Sequence, residues 1–221
     1  MKTDTDLKRD VLAELAYEPS IKADDIGVSV QEGVVTLTGH VPTYTEKSAA
    51  ERAVKRVLGV RAVVEELIVS LFSSHQRNDG DVAQSAATAL DLNISVPPNT
   101  VQMMVENGWI TLSGDVDWYY QREAAHDAVR HLLGVKGVTN LMEVKPLPSP
   151  SASTEEVRSK IEIALKRSMM NDIEGISIEA NNGKVTLHGK VHSLKEFDDA
   201  GRAAWSAPGV TTVENDLQVQ Y

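Results

Sequence analysis

Apolar positions near the start of the chain fall at helical spacing, with Leu7, Val11 and Leu15 set among polar residues. The same spacing returns at Val82, Ala86, Ala89 and Leu90, and again at Val157, Ile161, Ala164 and Leu165. Residues at i, i+4, i+7 and i+8 lie on one stripe, which predicts an amphipathic helix in each case. Alternation follows each helix: Ile26, Val28 and Val30, then Val101, Met103 and Val105, then Ile176, Ile178 and Ala180. This pattern predicts a strand with one buried face.

Short polar corners come next, at Glu32-Gly33, Asn107-Gly108 and Asn182-Gly183. Such pairs tolerate positive φ and turn the chain into an antiparallel partner. The returning strands carry Val35, Leu37 and Val41, then Ile110, Leu112 and Val116, then Val185, Leu187 and Val191. A second helix is predicted from Ala50, Ala53, Val54 and Val57, matched by Ala125, Ala128, Val129 and Leu132, and by Ala200, Ala203, Ala204 and Ala207. Its small residues let it sit close to a sheet. Gly59, Gly134 and Gly209 read as the glycines that close it. A third strand is expected from Val60, Val135 and Val210 onward, through Val63, Leu67 and Val69 and their counterparts.

Helix boundaries have their own signals. Asp79 and Thr154 are candidate N-caps, and Glu155 and Glu156 suit the positive end of a helix. Pro19 stops the first helix, and Pro97 and Pro98 stop its second copy.

One unit is therefore written three times. Gly33-Val-Val-Thr-Leu-Thr-Gly39-His-Val41 recurs as Gly108-Trp-Ile-Thr-Leu-Ser-Gly114-Asp-Val116 and as Gly183-Lys-Val-Thr-Leu-His-Gly189-Lys-Val191, 75 residues apart each time. The fold class is α+β, with three tandem αββαβ domains, each placing two helices on one face of a small three-stranded mixed sheet. The helix between the second and third strands implies a right-handed crossover to a parallel strand. The second glycine of the motif is expected to release the strand toward the second helix. Domains are expected at 3–70, 79–145 and 154–221, with linkers at 71–78 and 146–153. Leu71 and Phe72 suggest that the first linker docks on a domain, and the second is Pro/Ser-rich and therefore extended and stiff.

Charge narrows the partners. The formal net charge is −10, and it is spread along the chain. Residues 1–75 hold 9 basic and 12 acidic groups, 76–150 hold 5 and 9, and 151–221 hold 8 and 11. Every third thus opposes polyanions, so nucleic acid is not expected as a partner, and an anionic surface would need a local basic patch. The chain has no cysteine, which excludes disulfides and thiolate metal sites. Its charged start, Met1 to Asp10, contains no apolar run for a signal peptide, anchor or membrane span, and with Met1 as the start the expected location is cytoplasmic.

Three αββαβ units, each with Gly-x-Val/Ile-Thr-Leu-x-Gly-x-Val on the second strand and an Ala-rich helix leading to Gly-Val, resemble BON domains, the family of bacterial OsmY and nodulation proteins. The resemblance covers nearly the whole chain. It implies a non-enzymatic binding module tied to phospholipid or membrane surfaces, envelope integrity and osmotic stress. It also implies export to the periplasm for most relatives of the OsmY type, from which this chain departs by lacking a leader. The family has no universal catalytic residues to carry over.

The residues themselves offer little chemistry. No phosphate-binding loop, dinucleotide fingerprint, zincin helix or nucleophile elbow is present. The histidines His40, His75, His126, His131, His188 and His192 read as surface residues rather than metal ligands. Asp24-Asp25, Glu65-Glu66 and Asp198-Asp199 are adjacent carboxylates whose side chains diverge. No catalytic residue, cofactor or metal is expected, and the protein is not expected to be an enzyme.

Two features stand out. Lys47, Arg52, Lys55, Arg56 and Arg61 gather on and after the second helix of repeat one, where the other copies have Arg122, Arg130 and Lys136, and Arg202. They form a candidate patch for lipid headgroups, or else a solvated face paired with Glu46 and Glu51. The second feature is aromatic. Trp118, Tyr119 and Tyr120 open the second helix of repeat two, and Phe197 and Trp205 stand on that of repeat three where the siblings have charges. They read as a contact with a domain or partner, or, for Trp205, as a cover over an all-alanine stripe. The expected function is phospholipid or membrane-surface binding linked to osmotic or envelope stress. The alternative is chaperone-like binding of client polypeptides.

Overall fold

The computed structural model describes residues 2–145, 154–168 and 175–220; the Pro/Ser-rich linker 146–153 lies outside them. Repeat one contains α1 (Asp4–Tyr17), β1 (Ile26–Gln31), β2 (Val34–Val41), α2 (Tyr44–Arg56) and β3 (Ala62–Val69). Repeat two contains α3 (Asp79–Asp91), β4 (Val101–Glu106), β5 (Trp109–Val116), α4 (Tyr119–Arg130), β6 (Gly137–Asn140) and β7 (Glu143–Val144). Repeat three contains α5 (Thr154–Ser168), β8 (Ser177–Asn181), β9 (Lys184–Val191), α6 (Leu194–Trp205) and β10 (Thr212–Val219). Contacts divide the chain into two compact units, one of residues 1–38, 50–66 and 146–221, the other of 39–49 and 67–145.

In every sheet the motif strand is central, in the orders β1-β2-β3, β4-β5-β6 and β8-β9-β10. β4 and β8 pair antiparallel with it, and β6 and β10 pair parallel. The corners have positive φ at both residues: 50° and 76° at Glu32-Gly33, 53° and 80° at Asn107-Gly108, 47° and 82° at Asn182-Gly183. Two positive φ values in succession match the twist of a tight hairpin. Two backbone bonds bracket the third strand identically in each copy. Arg61, Lys136 and Thr211 donate to Gly33, Gly108 and Gly183 at 2.8–2.9 Å, and Ser70, Lys145 and Gln220 donate to Val41, Val116 and Val191 at 2.7–2.8 Å.

Both helices cover the same face. In repeat three the cluster joins Val157, Ile161 and Leu165 of α5 to Val185, Leu187 and Val191 of β9 and to Ala200 and Ala204 of α6. Each fully buried Leu or Ile contributes about 2 kcal/mol. The opposite face of each sheet is open and carries the alternate residues of its strands.

Local details differ from the sequence expectation. The third strand of repeat two is split: Asn140 Oδ1 accepts from Met142 N (3.1 Å) and draws residues 141–142 off the ladder, and β6 and β7 flank the gap in one unchanged register against β5. Val60, Val135 and Val210 precede their strands and close the turn from the helix, bonding back to Val57, Leu132 and Ala207. Asn78, not Asp79, caps α3, accepting from Asp81 N at 2.8 Å. Asp79 instead clamps the hairpin, accepting from Asn107 N and Gly108 N, both at 2.8 Å. Asp4 does the same for Glu32 and Gly33 at 2.8 and 3.1 Å. The second motif glycine does not end its strand. A Cβ on Gly114 would stand 2.0 Å from Thr100 O, and one on Gly189 2.1 Å from Gly175 O, so the residue admits a crossing backbone.

Candidate functional site

The five cations of repeat one do not form an open cluster. Lys47 is half-buried and donates to Leu67 O at 2.9 Å. Lys55 is held by Glu51 at 2.9 Å and by Asp198 of repeat three at 3.0 Å, inside the same compact unit. Burial disfavours its charge, but the two carboxylates outweigh that and raise its pKa. Gly59 N to His192 O, at 3.3 Å, is a second link between these two repeats. Arg56 bonds Glu14 at 2.7 Å and Glu18 at 3.3 Å, and the bond to Glu14 leads in raising its pKa. Arg52 and Arg61 are exposed, and Arg61 also reaches Glu32 O at 3.4 Å. The pairing of Lys55 with Glu51 is one that a solvated face would make.

The aromatic residues divide into two kinds. Trp118 and Tyr120 are exposed at the start of α4, and Tyr119 is half-buried with the Arg122 guanidinium 5.9 Å from its ring centre. Gln121 fixes this helix start by accepting from Asp117 N and Trp118 N, both at 3.0 Å. Phe197 and Trp205 are half-buried and pack against the core cluster of repeat three, to which Ala200 and Ala204 belong.

The open sheet face of repeat two carries a feature the sequence reading missed. Trp109 lies over Gly137, where an added Cβ would stand 2.3 Å from the ring, and its Nε1 donates to Thr139 Oγ1 at 2.8 Å. Trp109 remains 46% exposed, with Met104 and Leu141 each 61% exposed. The strand alternation, which sets Trp109 on the face opposite Ile110 and Leu112, was the available signal.

A cleft of about 410 Å³ opens where the first linker meets repeat two, within one compact unit. Val69, Ser70, Leu71, Gln76, Arg77 and Lys136 line it. Leu71 of the linker is half-buried there, while Phe72 is exposed and meets His75 edge-on. Among the described residues no group of three His, Asp or Glu side chains is placed to hold a metal, and no helix is long and apolar enough to cross a membrane.

The BON domain model matches residues 3–70, 78–146 and 153–221. Osmotically-inducible protein Y of Escherichia coli (strain K12) is 31% identical over 146 residues, covering 64% of this chain and 73% of that protein. Among solved structures, the C-terminal domain of CdsD, a structural protein of the type III secretion system of Chlamydia trachomatis, aligns over 100% of both chains at 17% identity with a TM-score of 0.27.

Proposed function

The chain belongs to the BON domain family, and we propose that it is a non-enzymatic binding protein of osmotic or envelope stress that engages phospholipid headgroups at membrane surfaces. The observation that carries this reading is the similarity to osmotically-inducible protein Y across 146 residues. The family's association with phospholipid surfaces supplies the ligand class. Three copies of one module in one chain favour repeated, individually weak contacts, since a second contact is made at high effective concentration once the first has formed.

The net charge of −10 repels an anionic bilayer as a whole. Binding therefore depends on local cations and weakens as salt screens them. Flotation of the full chain with phosphatidylglycerol and phosphatidylcholine vesicles, across a salt series, tests this. Salt-sensitive flotation with the anionic vesicles alone is the expected result. Flotation with neither removes the membrane reading.

A second reading, binding of client polypeptides, is favoured by the exposed Met104, Trp109 and Leu141 on the open face of repeat two. Apolar side chains gathered on a solvent-facing sheet suit an extended apolar segment.

A further inference from the structure

We infer that the cleft between the first linker and repeat two is an anion site, built for a phosphate group by Arg77 and Lys136. The inference goes beyond the membrane reading in naming the residues, and rests on it only for the source of the phosphate.

The cations of repeat one are largely engaged already. On α2, Lys55 and Arg56 are each held by two carboxylates, and Lys47 is bonded to a carbonyl. Arg77 and Lys136 form no ion pair among the described residues, and they line one cleft. No carboxylate lines it with them. The nearby Asp79, at the start of α3, is occupied by Asn107 N and Gly108 N. Two cations that line one concavity without an ion-pair partner among the described residues form a local positive site in a chain that is acidic in every third.

The cleft is also preorganised. Arg77 Nη1 donates to Ser74 O at 3.0 Å and Gln76 O at 2.7 Å, which fixes the guanidinium and leaves its other N–H groups for a ligand. Its stem packs on Gly134, where an added Cβ would stand 2.8 Å from Arg77 Cβ. The methylenes of Lys136 lie along Gly108, 3.2 Å from the position of an added Cβ, so the ammonium is carried on a supported stem. Ser70 and Gln76 add uncharged donors. Arginine offers a planar fork and lysine a point charge, a pair suited to a tetrahedral phosphate.

The test is a titration of the full chain with inorganic phosphate, followed by backbone amide resonances. Saturable shifts at Ser70, Leu71, Arg77 and Lys136 are expected. Arg77→Gln and Lys136→Gln should each weaken binding about tenfold, the loss of one charge-assisted bond. Lys136→Arg should retain it, and Arg61→Gln should leave it unchanged. Shifts that map to α2 instead, or that survive both glutamine substitutions, overturn the assignment.

Vesicles separate the sources. If the Arg77→Gln/Lys136→Gln variant loses phosphatidylglycerol flotation along with phosphate binding, the phosphate is a lipid headgroup. If phosphate titrates into the cleft while the native chain does not float, the site serves a soluble phosphate and the membrane reading alone fails. If the native chain floats but phosphate leaves the cleft unshifted, the cleft assignment fails and the membrane reading stands.

Discussion

On the open face of repeat two, Trp109 of β5 crosses Gly137 of β6 and reaches Thr139 at 2.8 Å. At the same positions repeat three has Lys184, Thr212 and Glu214, and Lys184 reaches Glu214 along the same diagonal at 2.6 Å. His188 and Asp216, 3.6 Å apart, extend that polar ladder. The strand registers are the same, with Trp109 opposite Gly137 and Lys184 opposite Thr212. The shared backbone thus fixes where a cross-strand pair meets, while the side chains decide whether that place is an aromatic platform or a solvated ion pair. Function in such a chain is to be sought where copies with one fold differ.

The largest expected effect breaks the part the repeats share. Gly114→Ala and Gly189→Ala should each cost about 3 kcal/mol, because each places a Cβ against a crossing carbonyl at a φ of 126° or 137°. Chemical denaturation of the full chain measures this, and a large cost in one repeat only would show that the scaffolds are not equivalent.

The next effect separates the repeats. Trp205→Ala should destabilise repeat three by about 2 kcal/mol through lost cover over Ala200 and Ala204, less than a fully buried tryptophan would cost. Arg130→Ala, at the matching position of repeat two, removes a half-buried stem paired with Asp127 at 3.3 Å and should cost less, about 1 kcal/mol. Equal losses would remove the distinction between an aromatic packed on the core and a charge at the same position.

A transplant sharpens the comparison further. Trp109→Lys with Thr139→Glu gives repeat two the pair of repeat three, and stability should change by less than about 1 kcal/mol, as for an exposed ion pair. Binding of an apolar fluorescent dye by the full chain should fall. Loss of folding would show that Trp109 is structural rather than a surface platform.

The smallest effect depends on pH. Burial raises the pKa of Asp199, but bonds from Lys195 and Arg202 outweigh it and hold the carboxyl below its ordinary 3.8. A depressed folded-state value means stability that is present above 3.8 and is lost as pH falls through the lowered value. Repeat two has Ala124 at this position and lacks the contribution. Thermal melts between neutral and strongly acidic pH should show this acid loss in the native chain and less of it in Asp199→Asn.

The scaffold was legible because its signals are local. Asn107-Gly108 and Asn182-Gly183 announce positive φ, and the alanine stripes announce a close-packed helix. The surfaces were not legible, because their partners are distant in sequence. Lys55 belongs with Asp198, 143 residues away, and no periodicity connects them. Arg77 is a single cation in a linker, and only folding brings it to one cleft with Lys136. The split between β6 and β7 rests on one side-chain bond from Asn140, a residue whose counterpart Asn215 sits in an unbroken strand.

Hydrogen–deuterium exchange of the full chain, with and without phosphatidylglycerol vesicles, tests most directly whether binding sits where the repeats differ. Added protection is expected in residues 69–77 and around Lys136, with β8, β9 and β10 unchanged. Equal protection in all three repeats, or protection confined to repeat three, would contradict it.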